Sequence, residues 1–395
     1  MTTSSAQLGD IAEINPRLSA IPNGPVSFLG MADIREDGTT SSGVDREFSE
    51  VRKGYTPFVD GDILLAKITP CFQNGKIAQA KLHNRQGMGS TEFHVIRGDR
   101  QIVDQRYLLH FLRRKEFLVD GERRMTGSGG QRRVPVDFVK ALEVPLPSLP
   151  EQRRIAAILD HADALRTRRA VSAIRVQELA TSAFLNMFGD PAPSWPRMTI
   201  ADVASSSKGA IRTGPFGSQL LHDEFTDAGV PVLGIDNAVE NRFKWGKPRF
   251  ITYDKYDQLK RYTVYPGDVL ITIMGTNGRC AIVPDDTPVA INTKHLCCIT
   301  PDASIVQSAF LHSYFLHHPV ARNYLARTVK GAIMAGLNMG IIKSMPIQVP
   351  PLEMQAEFAT LTASLAGHEK VLASSSSELD SLFGSLQSRA FRGEL

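Results

Sequence analysis

The chain has 395 residues, 42% of them hydrophobic and 22% charged, with a formal net charge of +4, an ordinary globular balance long enough for two or three domains with sizeable cores. That excludes a disordered or fibrous chain, and the mildly basic balance permits nucleic-acid binding without demanding it. No apolar run approaches the roughly 18 residues that cross a bilayer, and MTTSSAQLGDIAEINPR lacks the order of a secretory signal, so a cytoplasmic address with no membrane association is expected.

In the first half, between Leu8 and Val144, the short apolar runs VSFLG, DGDILLAKI, NGKIAQA and TEFHVIR are separated by turn formers such as Asp60-Gly61 and Asn74-Gly75. This pattern predicts strands. Periodicity through Tyr107, Leu108, Phe111, Leu112 and Leu118 predicts a helix over Asp104–Glu122. Arg113, Arg114, Lys115, Arg123, Arg124, Arg132 and Arg133 then outweigh Glu116, Asp120 and Glu122. Such a run reads either as a solvated helix face and loop or as a phosphate-facing surface. The turn Gly127-Ser128-Gly129-Gly130-Gln131 is half a dinucleotide fingerprint, but it follows a helix and runs into Arg132-Arg133, so it reads as a flexible turn or an anion nest.

From Glu151 to Phe188 proline is absent, and Ile155, Ile158, Ala162, Leu165, Val176, Leu179 and Ala183 recur at heptad spacing. A long helix follows, about 57 Å at 1.5 Å per residue. The second half repeats the order. VPVLGID, PGDVLITIM, CAIVPDD and HLCCIT predict strands, Phe310–Leu325 a helix, and Glu353–Phe391 a second long helix with a stripe of Phe358, Leu361, Leu365, His368, Leu379, Leu382 and Leu386.

A single offset relates the halves. Gln152 and Gln355 stand 203 positions apart, and the same shift carries Pro147 to Pro350, Lys140 to Lys343, Arg124 to Arg327 and Phe188 to Phe391. So long a period means a duplicated domain plus helix. The two apolar stripes share one register and suggest a coiled-coil pair, antiparallel because parallel packing would force the chain back along the whole helix. Loops diverge: GPFGSQLLHDEF, from Gly214, has no counterpart in the first half, and GSTEFHVIRGD, from Gly89, has only a faint one in AINTKHLCCI. Alike scaffolds with unlike loops are expected of two readers that recognise different things.

Catalytic signatures are absent from the sequence: no GxxxxGK[ST] loop, no Asn-Pro-Pro-aromatic motif, no GxSxG and no HExxH. Cys71, Cys280, Cys297 and Cys298 form no zinc-spaced cluster and read as reduced thiols, and His312, His317 and His318 read as surface or packing residues. No metal site and no cofactor are expected in this chain.

The motifs LPSLPEQRRIAAILD, VPPLEMQAEF, FLNMFGDP and LQSRAFRGEL, with TPFVDGDILLAKITPCFQNGKIA, GSTEFHVIR, GPFGSQL and YPGDVLITIMGTNG in joint order, make the chain resemble the specificity subunits of type I restriction-modification systems. The resemblance covers essentially the whole chain. It implies an α+β fold: target-recognition domains at residues 1–148 and 191–350, with helical spacers at 149–190 and 351–395. Each domain would read one half of a bipartite site in double-stranded DNA, and the helices would dock two modification (methyltransferase) subunits. Restriction (translocase/nuclease) subunits would join them. S-adenosylmethionine, ATP and Mg would belong to those partners, and the chain itself would be non-catalytic.

Phosphate holding calls for Lys and Arg, and base reading for Arg, Asn, Gln, Glu or His. The candidates in the first domain are Lys67, Thr69, Gln73, Asn74, Lys76, Thr91, Glu92, His94, Gln131, Arg132 and Arg133. Those in the second are Arg212, Ser218, Gln219, Lys244, Trp245, Asn277, Arg279, Asn292, Lys294, Lys330 and Asn338. The other reading, a coiled-coil scaffold or interaction module of a defence system that binds protein rather than DNA, stays open at this point.

Overall fold

The computed structural model describes residues 4–18, 21–128, 130–330 and 337–395, the side chains of 328–330 excepted. Compactness divides it into two units, residues 1–171 with 373–395, and residues 172–372. The boundary falls inside both long helices, because each globular part packs only the adjoining stretch of either helix.

In the first unit β1 (Ser4–Gln7) pairs with β10 (Glu143–Leu146), tying the start of the chain to the strand that leads into the first long helix. One four-stranded sheet has the order β2-β9-β6-β7, from Ala12–Ile14, Phe93–Gly98, Ile63–Ala66 and Ile77–Gln79, all antiparallel. The other has the order β4-β3-β8-β5, from Val44–Glu47, Pro25–Leu29, Gln86–Gly89 and Thr56–Val59, with β3 and β8 parallel. The strands of the first sheet are covered on both faces, and their side chains alternate accordingly. Ile63, Leu65 and Ile96 face a core shared with the helices, whereas Leu64, Val95 and Ala78 face a core with Leu29 and Phe58.

The second unit repeats this plan. The strands β11 (Arg197–Thr199) and β20 (Pro346–Gln348) pair as β1 and β10 do. The sheet β12-β19-β16-β17 runs through Ile211–Thr213, Leu296–Ile299, Val269–Thr272 and Cys280–Ile282. The sheet β14-β13-β18-β15, from Phe250–Ile251, Val230–Leu233, Ala290–Asn292 and Thr263–Val264, again has one parallel pair, β13 with β18.

The helices, in chain order, are α1 (Leu8–Ile11), α2 (Phe48–Val51), α3 (Gln105–Leu112), α4 (Lys115–Arg124), α5 (Val136–Lys140), α6 (Leu149–Phe188), α7 (Tyr253–Leu259), α8 (Ser308–His317), α9 (Pro319–Lys330), α10 (Met339–Lys343) and α11 (Leu352–Arg392). Two regions expected as single helices are pairs. Arg114 is extended (ψ 144°), its guanidinium 3.8 Å from the Phe111 ring, and that stacking separates α3 from α4. Pro319 separates α8 from α9, since it cannot donate within a continuing helix.

The repeated glutamines account for the conserved spacing. Gln152 is 1% exposed; its Oε1 accepts from Asp104 N at 2.8 Å, and its Nε2 donates to Ile102 O and Pro147 O. Gln355 is 0% exposed and does the same with Gln307 N, Ile305 O and Pro350 O. Every partner is shifted by the same 203 positions. One side chain thus satisfies three backbone groups where the long helix leaves the globular part, and a buried unpaired group there would cost about 1–3 kcal/mol.

Within the first unit α6 and α11 run antiparallel. Arg154 Nη2 donates to Leu395 O at 2.7 Å, and further along Arg166 Nε lies 2.6 Å from Asp380 Oδ1. Phe391 packs between Tyr107 and Phe111, and Phe383 beside His110. In the second unit Phe184 and Phe188 pack on Phe358. The apolar seam differs from the expected stripe. Leu165, Leu179 and Leu382 are exposed, while Leu159, Phe184 and Phe383 are buried. A strict seven-residue count drifts around a helix of 3.6 residues per turn, so it names the wrong leucines after a few turns.

Candidate nucleic-acid interface

In the first unit three stretches of chain meet where β6 ends and β9 begins. Lys67 N donates to Glu92 O, Val134 N to Lys67 O and Thr69 N to Arg132 O, each at 2.9 Å. These bonds gather Lys67, Thr69, Gln73, Glu92, Arg132 and Arg133 from positions far apart in sequence. Arg133 grips Glu92 as a fork, Nε to Oε2 at 2.9 Å and Nη2 to Oε1 at 2.8 Å. That hydrogen bond holds the Glu92 carboxyl below the usual range. Arg133 is therefore already neutralised, whereas Arg132 is exposed and only 4.0 Å from Glu122. Asn74, Thr91 and Gln131 are exposed on the same loops. Lys76 is turned inward, its Nζ 3.1 Å from Met31 O. Gln73 Nε2 donates to Thr69 Oγ1 at 3.3 Å, and its Oε1 has no partner among the described residues. Gly129 lies outside the described residues.

His94, expected to read a base edge, does not reach the surface. It is 5% exposed, and Nε2 lies 2.9 Å from Val134 O. A carbonyl only accepts, so Nε2 carries the proton. Burial depresses the imidazole pKa. His94 is thus a tether that fixes the Arg132-Arg133 segment against the sheet.

The basic run also divides. Arg113 pairs with Asp163 at 3.0 Å and Arg114 stacks on Phe111 and Phe391, so both serve packing. Arg123, 3.8 Å from Asp120, and Arg124, over the Phe138 ring, stay nearer the surface.

The second unit builds the same junction. Ile273 N donates to His295 O at 2.9 Å and Leu337 N to Ile273 O at 3.0 Å, matching Lys67 with Glu92 and Val134 with Lys67. Different side chains stand on it: Ile273 for Lys67, His295 for Glu92, Asn277 for Asn74 and Arg279 for Lys76. His295 is held neutral by burial first and then by Lys294 and Arg249. The turn beginning at Gly214 lies on this junction, for a Cβ there would sit 1.9 Å from Asn292 O. The turn carries the exposed Ser218 and Gln219, the latter accepting from Tyr262 Oη at 2.7 Å. A 240 Å³ cleft lined by Leu233, Trp245 and Arg249 adjoins it. Trp245 is 57% exposed and perpendicular to Phe243, and Lys244 pairs with Glu240.

Two further expectations, for Arg212 and Asn292, are corrected. Arg212 is 7% exposed, paired with Asp268 and bonded to Thr263 O and Thr300 Oγ1, so it holds the sheet together. Asn292 is fully buried, its Nδ2 donating to Leu296 O at 2.9 Å. Asn338 caps α10, accepting from Ile341 N at 2.9 Å. The Lys330 side chain lies outside the described residues. The sequence reading missed His295, Arg249 and Arg322; the offset of 203 from Glu92 would have found His295.

Buried Cys280, Cys297 and Cys298 are free thiols, Cys297 pushed up to about 12 by burial. Among the described residues no group of three or more His, Cys, Asp or Glu is placed to hold a metal, and no helix is long and apolar enough to cross a membrane.

Fold and junction together define an α+β chain with an internal repeat, each half offering a loop-built surface at one sheet end. The chain belongs to the type I restriction modification DNA specificity domain family, which matches residues 3–170 and 194–363. It is 44% identical over 149 residues to the EcoAI specificity subunit of Escherichia coli, covering 37% of this chain and 25% of that one. The EcoEI specificity subunit of Escherichia coli is 42% identical over 152 residues, 38% and 25% of the two chains. The chain thus spans about a quarter of the length of these relatives. The MjaVIII specificity subunit of Methanocaldococcus jannaschii matches more extensively, 21% identical over 80% of this chain and 75% of its own. Among solved structures, the type I restriction-modification S subunit of M. genitalium has a TM-score of 0.59 at 13% identity, covering 99% and 96% of the chains. A chain from a structure of type I R-M complex assembly has a TM-score of 0.58 at 18% identity, covering 99% and 98%. These two likenesses establish the fold.

Proposed function

We propose that this chain is the DNA sequence-recognition subunit of a type I restriction-modification complex, with each unit reading one half of a bipartite duplex site. The observation that carries this reading is the junction built twice from the same backbone bonds, with Lys67, Glu92 and Arg133 in one unit and Ile273, His295 and Arg279 in the other. A shared frame with unlike side chains is how two half-sites of different sequence are read. Lys67 and Arg132 would hold phosphates, and Gln73, Asn74 and Gln131 would meet base edges. In the second unit Ser218, Lys294 and Trp245 would take those places.

The long helices carry exposed apolar residues, among them Ile174, Leu179, Val371 and Leu382. Such surface supports docking of two methyltransferase subunits, with restriction subunits completing the complex. Methyl transfer from S-adenosylmethionine and ATP- and Mg-dependent work would belong to those partners, and this chain would carry no catalysis. A cytoplasmic location goes with this role.

Replacing residues 8–144 with the corresponding domain of a relative, and sequencing the methylome of cells that also carry the methyltransferase partner, tests the reading. One half of the methylated motif should change. A change in both halves would overturn the division of labour.

A further inference from the structure

We infer that the second unit carries a pocket for a DNA backbone phosphate, gripped by Arg279 and Arg322, which the first unit lacks. The inference rests on the DNA-reading role proposed above. Asn241, Asn277, Arg279, Phe315, His317 and Arg322 line a cleft of 370 Å³ beside the β16–β17 loop. Among the described residues no carboxylate lines it. Among the described residues neither arginine has an acidic group within 4.0 Å, unlike Arg133 with Glu92 in the first unit. Two unneutralised guanidiniums on one concave wall repel a cation and attract an anion.

The walls are fixed beforehand. Asn241 holds a left-handed backbone (φ 61°), its Oδ1 3.4 Å from Cys280 N and its carbonyl 3.0 Å from His312 Nε2. Gly278 is left-handed as well and donates to Thr272 O at 2.8 Å, closing the loop that presents Arg279. Arg322 Nη1 donates to Leu316 O at 3.3 Å, which sets the base of its guanidinium; its other donors have no partner among the described residues. His317 lines the same cleft, its pKa lowered by burial first and then by His312 and Arg322, and its ring nitrogens add hydrogen-bonding capacity to the wall.

Continuity selects the phosphodiester over other anions. The loop from Asn277 to Arg279 belongs to the junction that carries His295 and Lys294, so DNA lying on that junction passes this cleft. In the first unit the equivalent of Arg279 is Lys76, drawn inward to Met31 O, and Val119 stands at the position of Arg322. The phosphate grip is therefore one-sided.

The test uses the full chain with its methyltransferase partner bound, comparing wild type with Arg279→Gln, Arg322→Gln and the double variant. Binding to a duplex carrying the methylated motif is titrated over salt, and the motif itself is read by methylome sequencing. Unchanged thermal unfolding verifies that these exposed positions have not disturbed the fold. The double variant should bind at least tenfold more weakly at low salt, with the log–log salt slope shallower by about 0.9 for one lost phosphate and the motif unchanged. An unchanged slope with a relaxed second half-site would make these residues base readers and overturn the pocket. Wild-type affinity and slope in the double variant would overturn it while leaving DNA reading intact. A wild-type complex that shows no salt-dependent DNA binding would overturn both.

Discussion

The two units solve the same mechanical problem with different residues, and the differences compensate in place. In the first, buried Asp62 pairs with Arg97 on β9; in the second, Asp268 pairs with Arg212 on β12, the neighbouring strand, and Thr300 takes the position of Arg97. On α3 the order is Tyr107 then Phe111, and on α8 it is Phe310 then Tyr314. Both tyrosine hydroxyls still reach a carbonyl of the last strand, Pro145 O at 2.9 Å and Pro346 O at 2.7 Å. What persists is a requirement, a paired buried carboxylate and a satisfied hydroxyl, rather than a residue at a position. Gln152 and Gln355 do persist as residues, because three backbone partners at fixed distances leave little room for a substitute.

The two units differ most at their buried ion pairs. Asp268 is 1% exposed and, among the described residues, Arg212 is its only cationic partner, so Arg212→Met should cost about 3–5 kcal/mol by leaving a buried charge uncompensated. Both aspartates keep a backbone donor, Val59 N for Asp62 and Tyr265 N for Asp268, but the Arg97 side chain is 28% exposed and water can reach its place, so Arg97→Met should cost about 1–2 kcal/mol. Denaturant unfolding, with hydrogen exchange resolving each unit, reads both; equal costs would mean that the pairs are equivalent after all.

At the two glutamines the units are equivalent. Gln152→Leu and Gln355→Leu should each destabilise their own unit by about 3 kcal/mol, within about 1 kcal/mol of one another, since each strands the same three backbone groups. A tolerated substitution at either site would show that the shared spacing has another cause.

Acid response should separate the units least. His295, His312, His317 and His318 in the second unit, and His94 in the first, all have pKa values lowered chiefly by burial. The unfolded chain therefore takes up protons first as pH falls below about 6.5, so this stability is present above that pH and is lost toward the lower folded values. Exchange protection between pH 7.5 and 5.5 should fall more in the second unit than in the first, and a uniform fall would contradict the assignment.

Much of the fold was legible because its causes are local. The strands around Ile63, Ile77, Phe93, Val269, Cys280 and Leu296 announce themselves by apolar runs between turn formers, and Asp60-Gly61 and Asn74-Gly75 by turn chemistry. The short strands β1, β4 and β5 lack that signal, being exposed or brief, and form because a distant partner completes them. Of the candidate site, the loop residues were legible by type, but Arg212, Asn292, Asn338 and His94 belong to the frame.

By itself the sequence determined the duplication, the long helices and the family, since an offset of 203 and an uninterrupted helical stretch depend only on order along the chain. Tertiary structure alone decided which polar residues face outward. An arginine looks the same in sequence whether it will meet a phosphate or a buried aspartate, and only the folded chain brings Asp268 to Arg212 and Glu92 to Arg133 while leaving Arg279 and Arg322 without a carboxylate among the described residues.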